Sequence, residues 1–111
     1  HLISQLKRRI KMYQCISVSH VDPAKVERIL EAARVLAKET RSQHGNLSYN
    51  VVKPEGRDDN LIVTERWETK EDFLGHVANA DKEGDMVFEF GKLMGECSIA
   101  EAELYPSEVL I

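Results

Sequence analysis

The sequence predicts an α+β fold in which four antiparallel strands and two helices follow the order βαββαβ. Two kinds of segment predict it: some alternate between two faces, the period of a half-buried strand, and others place apolar residues about every 3.6 positions, the period of an amphipathic helix. The length of 111 residues is that of one domain. Each element can be justified in chain order.

The first strand and the first helix occupy the beginning of the pattern. Residues 12–19 (MYQCISVS) alternate as a strand. Asp22 and Pro23 then supply a helix N-cap and a proline at the first helical position, and Gly45 supplies a stop. The helix between them carries a single apolar stripe. Its members are Val26, Ile29, Leu30, Ala33, Leu36, Ala37 and Thr40.

Two further strands are predicted over residues 47–53 (LSYNVVK) and 61–67 (LIVTERW), joined by the turn-rich connector PEGRDDN. Both strands place apolar groups on both faces, which a sheet face in contact with water does not favour. The earlier of the two strands carries Leu47, Tyr49 and Val51 on one face, and the later one carries Leu61, Val63, Glu65 and Trp67 on one face. A second copy of the chain is the simplest cover for the other face, so we expect a homodimer that buries ~800 Å² per partner. Val35, opposite the core stripe of the first helix, is expected to join that interface.

The last helix and strand complete the pattern. Thr69 to Asp72 (TKED) is a capping box that opens a second helix through Val77. Gly84 and Asp85 interrupt this helix, and apolar residues then continue at helical spacing to Cys97. Residues 98–105 alternate as a closing strand, which Pro106 ends. Two helices on one face of a four-stranded antiparallel sheet form the ferredoxin-like arrangement.

Composition excludes several classes of protein. The chain has 15 basic and 19 acidic residues, a net charge of −4, which argues against a nucleic-acid partner. No apolar run approaches the ~20 residues of a membrane helix. Two cysteines make no disulfide framework, so a cytoplasmic location is expected. Residues 1–11 (HLISQLKRRIK) are strongly basic and are interpreted as a leader, a cloning remnant or a mobile arm, before a single domain over 12–111.

A group of motifs in the middle of the chain resembles the antibiotic biosynthesis monooxygenase (ABM) family. The segment HGNLSY contains Gly45 and Tyr49, the segment TERWE contains Glu65 and Trp67, and His76 follows. In that family a Gly-x-x-x-Tyr motif precedes a Glu-x-Trp strand end, and a histidine lies nine positions beyond the tryptophan. The resemblance extends over about residues 12–105. It implies a dimeric α+β barrel, in which two ferredoxin-like sheets pack face to face and each subunit encloses a cavity between its sheet and its helices.

The resemblance also implies a set of activities. Members of the family include cofactor-free oxygenases of quinols and polycyclic aromatics, an isomerase and haem-degrading enzymes. We therefore expect a cofactor-independent monooxygenase that acts with O₂ on a small quinol or hydroxylated aromatic. The alternatives are a non-catalytic dimeric small-molecule-binding module and an isomerase of a small carbonyl compound. No nucleotide-binding motif occurs, so no cofactor is expected, with haem as the alternative.

His76 is the candidate catalytic residue, as a general base or hydrogen-bond donor that faces the cavity. A structural histidine, bonded to a backbone carbonyl or to the sheet end, is the other interpretation. Trp67 and Tyr49 are candidates to bind and orient an aromatic ring, or are core residues. Phe73 and Phe90 are candidates to line the helix side of the cavity, or again to form core. The histidines show no paired spacing and the cysteines no CxxC motif, so no metal site is expected.

Overall fold

One four-stranded sheet and three α-helices make up the described part of the chain. The computed structural model describes residues 11–111, so the leader predicted for residues 1–11 lies outside the described residues except for Lys11. The strands are β1 (Tyr13–His20), β2 (Asn46–Val52), β3 (Asn60–Trp67) and β4 (Glu103–Glu108), and the helices are α1 (Val26–Arg41), α2 (Lys70–Val77) and α3 (Met86–Cys97). The sheet order is β2-β3-β1-β4 with every neighbouring pair antiparallel. This is the predicted ferredoxin-like α+β fold.

The helices begin at the side-chain caps that the sequence predicts. Asp22 accepts a hydrogen bond from the Ala24 N–H and opens a 3₁₀ turn (Pro23–Lys25) that leads into α1. Thr69 caps α2, and Asp85 caps α3 by accepting from the Val87 N–H. The predicted second helix is therefore two helices, separated by a second 3₁₀ turn (Ala78–Asp81) and by Gly84 at a φ of +89°.

The core lies between the helices and one face of the sheet. The apolar stripe of α1 is confirmed, since the buried residues of α1 all belong to it. Ile29 packs with Val21, Leu61 and Cys97, whereas Leu36 packs with Tyr49. A third cluster consists of Tyr13, Cys15, Trp67 and Phe73. No helix among residues 11–111 is long and apolar enough to cross a membrane.

Two strand predictions are wrong in detail. Leu47 does not share the buried face with Tyr49, because a β-bulge between Asn46 and Ser48 shifts the register and leaves Leu47 exposed. The closing strand lies five residues later than the predicted start at Ser98, because the Ser98 N–H and hydroxyl still bond to the Met94 carbonyl at the end of α3. Pro106 lies inside β4 rather than after it. An edge strand tolerates proline, since half of its backbone groups need no partner strand.

The face of the sheet opposite the helices carries an apolar row, as predicted. Val52, Ile62 and Val18 lie side by side across β2, β3 and β1. Ile16 and the exposed Tyr105 are paired in the next row. Val52 is 45% exposed in the single chain, so this face is only partly covered by its own chain.

Gly45 combines a left-handed backbone with a close neighbour, and Gly56 is its matched control. Both have positive φ, +83° and +76°, but a Cβ on Gly45 would overlap the Asp72 carboxylate, whereas nothing lies within 4 Å of one on Gly56. We expect Gly56→Ala to cost about 1 kcal/mol of unfolding free energy from backbone strain alone. Gly45→Ala should cost about 1–3 kcal/mol more, because Asp72 must move.

Urea unfolding of both variants measures the difference. The excess cost of Gly45→Ala should fall within an Asp72→Ala background, which removes the carboxylate, and should largely vanish within an Asp72→Gly background, which also removes the Asp72 Cβ that would lie 2.8 Å from the added Cβ. Equal losses for Gly45→Ala and Gly56→Ala would contradict the assignment of Asp72 as the obstacle.

Candidate functional site

The sheet contributes two neighbouring rows of side chains to the candidate site. Tyr49, Glu65 and Cys15 lie side by side on β2, β3 and β1, and Trp67 lies opposite Tyr13 in the next row. All five side chains are buried on the helix-covered face. The strand pairing therefore brings Tyr49 and Trp67, two of the predicted ring-binding residues, to adjacent positions.

Helix α2 places His76 and Phe73 over these rows. The His76 ring lies over the Trp67 indole, with ring centroids 5.0 Å apart and planes inclined by 37°. Tyr49 meets His76 edge-on at 6.1 Å, and Phe73 packs against Tyr13 at 5.2 Å. Tyr49, Trp67, Phe73 and His76 are thus brought into one cluster of buried rings.

Phe90 occupies a different position. It lies on α3 and is partly buried, and it packs against the group around Leu61 and the group around Tyr49. Within the ring cluster, Phe90 packs only against Tyr49. The prediction that Phe90 and Phe73 together line the helix side of one cavity is therefore wrong.

His76 is held by a side chain and not by a backbone carbonyl. Its Nδ1 lies 2.8 Å from Oε1 of Gln43, just beyond the end of α1. An amide oxygen can only accept, so this bond places the proton on Nδ1 and leaves the lone pair on Nε2. Gln43 is a site residue that the sequence did not reveal, since glutamine at a helix end is usually solvated.

Burial also sets the protonation state of His76. The side chain is 5% exposed, and loss of solvation lowers the pKa of His76, an effect that the nearby Asp85 carboxylate partly opposes. The imidazole is therefore neutral at physiological pH. A neutral imidazole with a fixed Nδ1 proton can accept a proton at Nε2.

Glu65 is a buried carboxyl. The sequence predicts that it lies on the same strand face as Trp67 but assigns it no role. Its Oε1 accepts a hydrogen bond of 3.0 Å from the Trp67 Nε1–H, and burial raises the pKa of Glu65, with the indole bond opposing. This bond fixes the rotation of the indole on which His76 lies. The signal in the sequence was a single acid on an otherwise apolar strand face, LxVxExW.

The other titratable groups of the cluster are inactive near neutral pH. Burial raises the pKa of Tyr49, and the charges of Glu65 and Cys15 add to the effect. Burial likewise raises the pKa of the Cys15 thiol, although Ser17 opposes the shift. Neither group supplies an anion at pH 7, so Cys15 is no nucleophile.

A cavity lies beside Gln43, the partner of His76. Its volume is about 280 Å³, and it is a partly open groove between the second half of α1 and the beginning of α3. Gln43 and Asp85 line it, whereas Trp67, Phe73 and His76 pack against one another instead. The prediction that His76 faces a cavity directly is therefore corrected: a glutamine side chain stands between them.

Three potential metal ligands meet elsewhere, at the beginning of α2. The ligand atoms of His44, Glu68 and Asp72 lie within 4.8 Å of one another. His44 and Glu68 are exposed, and Asp72 already accepts a hydrogen bond from the Thr69 hydroxyl. Exposed groups of this kind are common without an ion, and no residue predicted for the active site takes part.

Comparison with known proteins places this geometry in a family. The model of the family described as antibiotic biosynthesis monooxygenase matches residues 12–82. The chain belongs to this family. The match includes the Tyr49, Trp67 and His76 positions and ends before α3. No curated protein matches the chain.

Solved structures agree on the fold of this ABM domain. A conserved protein from Methanosarcina mazei superposes with a TM-score of 0.79 at 20% identity, covering 92% of this chain and 96% of that one. Proteins classed with the antibiotic biosynthesis monooxygenases superpose equally well. The one from Nitrosomonas europaea has a TM-score of 0.79, 17% identity and coverage of 91% and 92%. The one from Caulobacter crescentus has a TM-score of 0.79, 16% identity and coverage of 92% of both chains. At these identities the likeness concerns the fold alone.

Trp67 is the single tryptophan of the chain and therefore reports on His76. Protonated imidazole quenches indole emission, so the fluorescence of Trp67 should fall on acidification as His76 gains a proton. Because burial lowers the pKa of His76, we expect the midpoint below its ordinary value of 6.5. A fluorescence titration in the pH range in which the protein stays folded, checked by circular dichroism, measures it.

The matched variants are His76→Leu and His44→Leu. The first should abolish the transition, and the second, at an exposed histidine, should leave it in place. A transition with its midpoint above 6.5, or one that survives in His76→Leu, would contradict the burial of a neutral imidazole beside Trp67.

Proposed function

We propose that this ABM domain is a cofactor-independent monooxygenase that oxidises a small quinol or hydroxylated aromatic with O₂. The family and the classification of its structural neighbours support monooxygenase chemistry in general. The finer assignment rests on His76. It is a neutral, buried imidazole with its Nδ1 proton committed to Gln43 and its Nε2 free to act as a base.

The proposed reaction needs a base and a binding site more than it needs a redox group. Removal of the hydroxyl proton by His76 makes the ring electron-rich enough to reduce O₂. One oxygen atom then enters the ring, the other leaves as water, and the substrate supplies the electrons. General-base catalysis of this kind is worth about 10²–10⁴ in rate.

The aromatic residues would orient the ring. In this proposal the packed rings shift to admit the substrate, the Trp67 indole, held by Glu65, then offers a flat face for stacking, and the Tyr49 hydroxyl stays protonated and can donate a hydrogen bond. Phe73, packed against Tyr13, and Phe90, packed against Tyr49, support the ring cluster from the helix side. Because Gln43 separates His76 from the cavity, the substrate reaches Nε2 only when this side chain or its neighbours shift.

Size supports a reaction without flavin, nicotinamide or haem. At about 280 Å³, the cavity beside Gln43 is at the small end of ligand pockets and suits a single ring rather than a large cofactor. The proposal is therefore that the protein acts on O₂ with the substrate as the sole reductant.

A non-catalytic binding module is the second candidate, and one observation favours it. The rings of Trp67 and His76 are packed together in the core, as in a structural cluster, and the cavity lies beside them. In that case the cavity would bind a small molecule without turnover. The two functions differ in whether oxygen is consumed.

We further propose that the domain is a homodimer, with the open sheet faces packed together. The row of Val52, Ile62 and Val18 and the partly exposed Tyr105 supply apolar area on that face. Covering ~800 Å² per partner would remove this area from water, and a twofold axis lets one patch serve both copies. Val35, exposed on α1 opposite the buried stripe, faces away from the sheet, so the expectation that it joins this interface is wrong.

Oxygen consumption tests the proposed reaction. The protein, without added flavin, nicotinamide or haem, should consume O₂ with at least one member of a panel of benzene- and naphthalene-type quinols. Alanine at His76 should lower the rate by about 10²–10⁴, whereas His44→Ala, at an exposed histidine, should leave it unchanged. An oxygen electrode provides the measurement, with the spontaneous oxidation of each quinol subtracted.

The outcomes separate the candidates. Uptake that is equal in the parent and in His76→Ala would reject His76 as the base. No uptake across the panel, together with ligand binding, would reject the oxygenase and favour the binding module.

Light scattering tests the dimer. At micromolar concentration the parent should have about twice the chain mass of 12.6 kDa. Val52→Glu, which places a charge on the open face, should yield monomers, whereas Leu74→Glu, at a similarly exposed site on α2, should remain dimeric. A monomeric parent would reject the dimer. A dimeric Val52→Glu protein would show that the interface does not lie on the open face of the sheet.

A further inference from the structure

A groove on the flank of α1 carries a charge opposite to that of the whole chain. It lies between α1 and β2, the edge strand of the sheet, and its volume is about 370 Å³. The described residues that line it are four apolar and two basic: Leu30, Ala33, Ala37, Val51, Arg34 and Arg41. Since the chain has a net charge of −4, this positive charge is local, and it favours an anion.

Arg41 is held in this groove without a carboxylate partner. Its Nε and Nη2 donate to the Tyr49 carbonyl over 3.1 and 2.6 Å, and Nη2 also lies 3.3 Å from Oδ1 of Asn50. Nη1 donates to none of residues 11–111. A guanidinium that is already oriented in this way loses little conformational freedom when its remaining N–H groups bind an anion.

Arg34 is the second cation of the groove. It lies on the same flank of α1 as Arg41, about two helical turns earlier, and it is exposed. Neither arginine takes part in an ion pair within the described part of the chain. Arg28, on the opposite flank of the same helix, pairs with Glu96 at 2.9 Å. The groove is therefore bordered by two cations that lack an acidic partner among residues 11–111.

The floor of the groove is aliphatic. Ala33 and Ala37 lie one turn apart on α1 and are 3% and 7% exposed, with the partly buried Leu30 and Val51 beside them. No ring occurs among the described lining residues, so the groove offers no aromatic face for stacking. An alkyl chain that lies on these side chains gains from leaving water.

We propose that this groove binds a small aliphatic carboxylate, whose carboxylate pairs with Arg34 and with Nη1 of Arg41 and whose alkyl chain lies on Ala33 and Ala37. The groove shares no lining residue with the ring cluster of Tyr49, Trp67, Phe73 and His76. The inference is therefore independent of the proposed oxygenase.

Octanoate is the probe for this site. It is titrated into ¹⁵N-labelled protein below its micellar concentration, and amide shifts are followed by NMR. The largest shifts should fall on Ala33, Arg34, Ala37 and Val51. Octan-1-ol, which lacks the charge, and octylamine, which reverses it, should each bind at least about threefold more weakly. Butanoate should also bind more weakly than octanoate, because fewer CH₂ groups leave water.

Two substitutions on α1 isolate the charge of the groove. Arg34→Gln removes one cation and leaves the bonds of Arg41 to Tyr49 in place, so octanoate should bind about three- to fivefold more weakly, the worth of a partly exposed ion pair. Arg28→Gln makes the same change of charge on the opposite flank and should leave the affinity within about 1.5-fold of the parent. Circular dichroism checks that both variants are folded.

Four results would overturn the proposal. They are the absence of octanoate binding at millimolar concentration, shifts confined to the open sheet face, octylamine binding as tight as that of octanoate, and equal losses of affinity in Arg34→Gln and Arg28→Gln. An affinity of Arg34→Gln equal to that of the parent would likewise reject the pairing with Arg34.

Discussion

The hydrogen bond from Trp67 Nε1 to Glu65 Oε1 determines the geometry of the candidate site. Both residues point into the core from one strand, two positions apart, so the bond locks the indole against its own strand. The locked indole is the surface on which His76 lies, and His76 in turn holds Gln43. From one buried carboxyl, a chain of contacts thus runs from the sheet through α2 to the end of α1.

The same burial favours the neutral forms of the two titratable groups in this series of contacts, Glu65 and His76. Burial raises the pKa of Glu65 and lowers that of His76. Their contributions to stability have opposite signs. His76 destabilises the fold as the pH falls below about 6.5, because the unfolded chain takes up the proton first, and Glu65 destabilises it as the pH rises above its ordinary value of 4.5. The burial that lowers the pKa of His76 is suited to hold a neutral base ready for use.

The helices cover only one face of the sheet, and this arrangement leaves two surfaces suited to binding. All helices lie on one face, so the row of Val52, Ile62 and Val18 remains on the other. On the covered face, α1 and α3 line a small, partly open groove near Thr40 and Asp85. The open sheet face carries an apolar row, which suits a second copy, and the groove is small, which suits a single ring.

The sequence by itself determined the fold class, the caps of the helices, the apolar stripe of α1 and the face shared by Glu65 and Trp67. These depend on local periods and on side chains that bond to nearby backbone, so a linear pattern carries them. The motifs around Trp67 and His76 likewise identified the family before any contact was known. The predicted positions of Leu47 and Pro106 are wrong. A β-bulge shifts the register at Leu47, and an edge strand accommodates the proline at 106.

Only the tertiary structure decided what surrounds His76. Its partner Gln43 lies 33 positions away in the sequence, and the cavity is formed by two helices that share no sequence motif. Thr40 shows the limit most clearly: at helical spacing it belongs to the core stripe, but only the packing shows that its buried hydroxyl has no partner among residues 11–111. Hydrogen-bond satisfaction and empty volume depend on the packing of distant elements, and the order of residues along a chain does not encode them locally.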